Sequence, residues 1–233
     1  MKSQDKRMVS LLLVCLSLSL AGCGGGAPGT ETVGPQQNAV FIEGVDHPYF
    51  PITPGTLRIY AGHHDGEPRR EEVRTLGEGR VIMGVMCTGV RQEVYIDEAL
   101  AEVTTEWYAQ DHEGNVWKFG EESHEVEQGH LMPADDSWEA GRDGGEVWMA
   151  FPADPVPGTS FSGYTPLGPD QFHVLSTEER VQVPAGNFEG CMQVLENPDD
   201  PKDTDIILYA RGVGRVQELN SSGQIELAFV GRE

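Results

Sequence analysis

Lysine is nearly missing from this chain: beyond residue 22 only Lys118 and Lys202 carry an ammonium group. Lys and Arg together number 16 against 38 Asp and Glu, for a formal charge of −22. Nucleic-acid binding needs clustered basic side chains to neutralise phosphates, so that class is excluded. Lying flat on an anionic lipid surface is excluded for the same reason. A heavily solvated acidic surface accounts for the imbalance, with divalent cations or a basic partner as the other readings.

Signatures of catalysis and metal binding are equally scarce. The chain has no Gly-x-Ser-x-Gly elbow, no glycine loop leading from a strand into a helix, and no His-Glu-x-x-His. His63-His64-Asp65 precedes Gly66-Glu67-Pro68 and reads as a solvated turn. Adjacent residues of a strand point to opposite faces, which keeps His63 and His64 from sharing one ion. His112, His124 and His130, with Glu113 or Glu125, show no ligand spacing. Asp199-Asp200 with Asp203 and Asp205, and Asp135-Asp136, lack the glycine and bidentate acid of a calcium loop. The many carboxylates would suit a two-acid hydrolase, but nothing selects a pair. The sequence predicts no enzyme, no metal site and no cofactor.

Long apolar runs are confined to the N-terminus. Lys2, Lys6 and Arg7 precede the apolar stretch Met8 to Leu20, and then comes Leu20-Ala21-Gly22-Cys23. A basic start, a short apolar core and small residues at the cut read as a secretory signal over residues 1–22. No later segment approaches the roughly 20 apolar residues of a membrane-spanning helix. Leu20-Ala21-Gly22-Cys23 resembles the lipobox of bacterial lipoproteins. That resemblance implies cleavage before Cys23, lipid attachment to its sulfur, and a membrane partner reached through it. Buried acyl chains contribute about 0.8 kcal/mol per CH₂, and two or more make a stable anchor. Gly24 in place of Asp implies, by the same resemblance, the outer membrane where the host has two. Residues 23–38 are rich in Gly, Pro, Thr and Gln, the composition of a flexible tether.

With 29 Gly and 15 Pro, residues 39–233 leave little room for helices. Leu57-Arg58-Ile59-Tyr60-Ala61 alternates at period two after a Pro-Gly turn. Glu93-Val94-Tyr95-Ile96 and Thr104-Thr105-Glu106-Trp107-Tyr108 carry the β-branched and aromatic residues of strands, and Val81 to Cys87 reads as another. Asp111-His112-Glu113-Gly114-Asn115 reads as a hairpin loop, Ser221-Ser222-Gly223 as the link between the last two strands, and Ile96 to Val103 as a hairpin or a short helix. The expected class is mainly β: an antiparallel curved sheet, barrel or sandwich.

Two segments, about 48–120 and 152–220, echo each other. Pro54-Gly55-Thr56 matches Pro157-Gly158-Thr159, and Gly55 lies as far before Cys87 as Gly158 before Cys191, to within one position. Trp107-Tyr108-Ala109 then matches Leu208-Tyr209-Ala210, each followed by a glycine turn. Two similar β units are the expectation, joined by an acidic connection at about 121–145 that acts as a lid or a disordered insert. Cys87 and Cys191 are either a disulfide, contributing about 4–5 kcal/mol in the chain-entropy model, or two buried thiols at equivalent places. The repeat favours thiols. Trp107, Trp117 and Trp148 are candidates for a ligand face, although alternation prevents every aromatic from sharing one platform.

Tyr49-Phe50-Pro51, Trp107-Tyr108-Ala109-Gln110-Asp111, Ser137-Trp138-Glu139-Ala140-Gly141 and Gly186-x-Phe188-x-x-Cys191 together resemble a broad group of uncharacterised bacterial envelope lipoproteins. The resemblance implies an envelope location and no particular activity. Three functions remain open: a tethered interaction module with an envelope protein partner, a carrier of an apolar small molecule or lipid in a curved sheet, and a carboxylate-dependent hydrolase.

Overall fold

The computed structural model describes residues 39–142, 145–165, 168–200 and 204–232. The signal segment, Cys23 and the tether lie outside the described residues. The chain opens with a small hairpin, β1 (Asp46–His47) and β2 (Phe50–Pro51). A first meander follows: β3 (Thr56–His64), β4 (Glu67–Thr75), β5 (Arg80–Ile82), β6 (Val85–Ile96), β7 (Ala99–Gln110) and β8 (Val116–Glu127). Short strands β9 (His130–Pro133), β10 (Trp138–Glu139) and β11 (Trp148–Phe151) lead to β12 (Ser160–Thr165). The second meander is β13 (Gly168–Val183), β14 (Gly186–Glu196), β15 (Asp205–Ala210), β16 (Gly214–Leu219) and β17 (Gly223–Arg232).

Every strand but the first two belongs to one antiparallel sheet, ordered β10-β8-β7-β6-β4-β3-β17-β16-β15-β14-β13-β12. The last strand, β17, pairs with β3, the first strand of the first meander, so the chain's middle falls at the two free edges. The β3–β17 seam is tight: a Cβ on Gly62 would stand 1.9 Å from the Gln224 carbonyl oxygen, and one on Gly223 the same distance from that of His63.

The sheet curls until its edges face each other, without closing into a barrel. The edges meet through side chains. Trp148, on β11 beside β8, lies against the backbone of Gly163 on β12 and stacks on Phe172 of β13 at 5.9 Å and 16°. A Cβ on Gly163 would stand 2.5 Å from the indole, so glycine permits the contact.

Alternation sorts the residues as the pattern of β3 suggests. Thr56, Arg58 and Tyr60 are buried, while Leu57 and Ile59 are half-buried on the other face. Two apolar clusters result. One holds Tyr49, Ile82, Cys87, Tyr108, Trp117, Phe119, Trp148 and Phe151, and the other Val181, Cys191, Leu208, Val216 and Leu227 around Tyr60. The β13–β14 turn arches back over the second cluster, where the Ala185 N–H donates to the Leu227 carbonyl at 3.0 Å. A bulge after Leu227 frees that carbonyl from the β17–β3 ladder.

Two expectations change, and two open alternatives are decided. Val81 to Cys87 is a hairpin, because Met83 and Gly84 both take positive φ (50° and 82°) and form the tight turn between β5 and β6. Residues 121–145 hold no free-standing lid among the described residues: β8 runs on to Glu127, β9 folds back on it, and β10 pairs with Glu121 and Gly120. Cys87 and Cys191 are free thiols, buried in different clusters. Ile96 to Val103 takes the hairpin and not the short helix, with Ile96 paired to Ala99.

Candidate functional site

The curled sheet encloses a cavity of about 280 Å³. One end of it is stopped by the β1–β2 hairpin, which is fastened on four sides. Asp46 and Gln110 exchange two hydrogen bonds, at 2.9 and 2.8 Å. The Gly212 N–H donates to the Pro48 carbonyl at 2.7 Å, and the Tyr49 hydroxyl reaches the Gly190 carbonyl at 3.4 Å. His47 is buried, with Nε2 3.0 Å from the Pro152 carbonyl and Nδ1 accepting the Tyr49 N–H. These partners assign the proton to Nε2, and burial lowers the imidazole's proton affinity.

Four rings run in an unbroken row across the cavity. Tyr108 meets Phe50 edge-on at 4.9 Å, Phe50 stacks on Phe151 at 4.6 Å, and Phe151 meets Tyr209 edge-on at 5.1 Å. Contacts of this kind contribute about 0.5–1.5 kcal/mol each beyond area burial. The outer two rings belong to the two meanders, and the inner two to the plug hairpin and β11. Trp148 and Phe172 form another wall, with Phe161 stacked on Phe172 at 5.0 Å.

Beside each tyrosine stands a cation, buried in the case of Lys118 and half-buried in that of Arg215. Tyr108 on β7 pairs with Lys118 on β8, next to a bulge; Tyr209 on β15 pairs with Arg215 on β16, also next to a bulge. Lys118 Nζ donates to Glu106 at 2.7 Å and to Glu121, three residues on, at 2.5 Å. Arg215 donates to Glu218, three residues on, and to Glu71 of β4, which is fully buried and also paired with Arg69 at 2.6 Å.

Burial works against the charge on Lys118, but Glu106 and Glu121 outweigh it and keep the ammonium charged. Burial works against ionisation of Glu71 too, and Arg215 and Arg69 overcome it, holding the carboxyl below its ordinary range. Glu121 is pushed up, first by burial and then by Glu106 and Asp136, despite Lys118. Glu102 is likewise raised by burial and by Asp136 and Glu71. Both tyrosines stay protonated, because burial and nearby carboxylates raise their pKa values. The third cation of the cavity wall, Arg58, donates to the carbonyls of Val213 and Pro51 at 2.8 and 2.6 Å.

The three tryptophans expected on one ligand face are divided. Trp148 lines the cavity. Trp117 is buried on the opposite face of β8 from Lys118, its indole N–H donating to Asp111 at 2.8 Å. Trp107 also lies on the other face, packed where a Cβ on Gly89 would stand 2.8 Å from its ring, with the Arg80 guanidinium 5.6 Å from the ring centre. Alternation on β7 and β8 imposes this split. Among the described residues no three His, Cys, Asp or Glu side chains converge as metal ligands.

Sequence reasoning missed Lys118, Arg215 and Glu71. A signal was present: each cation follows an aromatic strand and a glycine turn, with a glutamate three residues on. No protein-family model, curated protein or solved structure matches the chain.

Proposed function

We propose that this protein is a non-enzymatic binding protein of the bacterial cell envelope, anchored by lipid at Cys23, that holds a small, partly apolar molecule inside its curled sheet. The observation that carries the reading is the cavity floored by Tyr108, Phe50, Phe151 and Tyr209. Aromatic walls with a few oriented polar groups are the usual make-up of a small-molecule site, and the volume falls near the lower end of the roughly 300–1,000 Å³ such sites span. The anchor rests on the lipobox resemblance, and the outer membrane is the expected location where the host has two. Native mass spectrometry of the full-length protein, extracted gently from its own envelope, tests the binding. A bound mass that disappears when Ala150 on the cavity wall is replaced by Phe supports it. A bare polypeptide mass in every preparation overturns it and returns weight to a protein-interaction role.

A further inference from the structure

We infer that the guest of this cavity is a neutral, flat, fused-ring molecule carrying a carbonyl beside an N–H, as a lactam or heteroaromatic amide does; the inference rests on the binding role proposed above. Charge excludes the ions. Lys118 stands between Glu106 and Glu121. Arg215 stands between Glu218 and Glu71, and Arg69 holds the other oxygen of Glu71. Arg58 is turned to the carbonyls of Val213 and Pro51, and Asp170 and Glu196 have partners of their own. With Arg58 counted, the cations of this network equal its carboxylates in number. A cationic guest would have to draw a carboxylate from Lys118 or Arg215, and an anionic guest a cation from its acids. Either exchange leaves a buried charge unpaired. A neutral guest disturbs no pair.

The walls favour a flat ring. Phe172 lies nearly parallel to Trp148 on one side and to Phe161 on the other, at 16° and 12°, and Phe50 lies at 18° to Phe151. A planar aromatic guest offers its own face or edge to such rings. A cavity of about 150 Å³ holds one benzene, so 280 Å³ accommodates two fused rings. Gln92 supplies the polar recognition. It lies on β6, in register with Val73 of β4 and Thr104 of β7, and lines the cavity. Unlike the charged groups around it, its side-chain amide has no hydrogen-bond partner among the described residues. An amide presents a carbonyl oxygen and N–H donors side by side, so the carbonyl and N–H of a lactam can meet it with two hydrogen bonds. An alkyl chain would leave that amide unpaired and the flat faces only partly covered.

The test is a set of four two-ring probes of similar size: 2-quinolinone, naphthalene, cationic 1-methylquinolinium and anionic 2-naphthoate. Each is titrated into the full-length protein in a non-ionic detergent, with detergent alone as the blank, and followed by calorimetry and native mass. 2-Quinolinone is expected to bind at least ten-fold tighter than naphthalene, with both charged probes weaker still. Gln92→Leu is expected to bring 2-quinolinone down to the affinity of naphthalene while leaving naphthalene unchanged, which a merely misfolded variant would not do. A charged probe that binds as tightly as 2-quinolinone overturns the neutral class. Equal affinity for 2-quinolinone and naphthalene, or indifference of 2-quinolinone to Gln92→Leu, overturns recognition through the amide. Failure of all four probes, when protein from its native envelope carries a bound mass, overturns the fused-ring class and leaves the cavity as a binding site. The same failure with a bare polypeptide mass overturns the binding role as well.

Discussion

Lys118 and Arg215 occupy matching places in the two meanders. Each lies across a bulged strand pair from a cavity tyrosine, Tyr108 or Tyr209, and each bonds a glutamate three residues further on. The strand on the far side of each tyrosine matches as well. Thr88, next to Cys87, pairs with Tyr108, and Met192, next to Cys191, pairs with Tyr209. The second carboxylate differs between them. For Lys118 it is Glu106 of the adjacent strand, whereas for Arg215 it is Glu71 of β4, so only the Arg215 site ties the two meanders together across the interior.

Arg215→Met is expected to destabilise the protein by about 3–5 kcal/mol, because it strands a buried Glu71 whose remaining partner is Arg69. Adding Glu71→Gln should recover part of that loss by removing the unpaired charge. Equilibrium denaturation in urea measures both. A loss under about 1 kcal/mol for Arg215→Met would show that the pair is not a junction between the halves.

Glu102 has a raised folded-state pKa, so its ionised form costs stability at neutral pH, and that cost fades as pH falls through the folded value towards about 4.5. Glu102→Gln should therefore be more stable than the parent at pH 7, with the difference shrinking to nothing near pH 4. Thermal unfolding at several pH values, read as the difference between the two proteins, checks the sign. A difference that grows on acidification would be the wrong sign.

Gly62→Ala should cost about 1–3 kcal/mol, since a Cβ there would collide with backbone of β17 that cannot move aside. Gly77→Ala is the control: a Cβ meets nothing within 4 Å there, and the effect should stay within about 0.5 kcal/mol. Similar melting temperatures for the two variants would show that the β3–β17 seam is loose.

The β6–β7 turn places two non-glycine residues, Asp97 and Glu98, at positive φ of 48° and 64°. Glu98→Gly should relieve about 1 kcal/mol of backbone strain, and raise the melting temperature by about 2–4 °C. The cost of losing its exposed 4.0 Å contact with Arg70 is small. A fall in melting temperature would rule out strain at this turn.

Burial pushes the Cys87 thiol up to about 12, and raises that of Cys191. Neither is expected to react with an aromatic disulfide reagent in the folded protein. Unfolding in guanidinium without reductant should release both thiols. Release of none would establish a disulfide in the isolated protein.

Much of the fold was legible because strand chemistry is local. Leu57 to Ala61, Glu93 to Ile96 and Thr104 to Tyr108 lie in strands, and Asp111 to Asn115 forms its loop. Asp111 organises that loop by accepting bonds from the Glu113 and Asn115 N–H groups and from the Asn115 and Trp117 side chains. The Val81 to Cys87 run was misread because its apolar residues hide a turn at Met83-Gly84, where the side chains of Val81, Met83 and Met86 are exposed. The cavity was half legible. Trp148 stood among its expected aromatics, but Phe50 entered only through a family resemblance and Lys118 only as one of two remaining lysines.

The sequence by itself determined the strands, the turns between them and the face on which each side chain falls, since period-two alternation and the φ preferences of Gly, Asn and Asp act within a few residues. It also determined the acidic surface and the excess of carboxylates. The tertiary structure decided which distant strands meet. The pairing of β3 with β17, the contact of Trp148 with Gly163, and the burial of Glu71 against Arg215 join residues far apart in the chain. Such contacts depend on the accumulated twist and bulging of the whole sheet, and no local pattern carries that sum. The cavity exists because the sheet curls far enough for its edges to meet, with the β1–β2 hairpin filling the end that the curl leaves open.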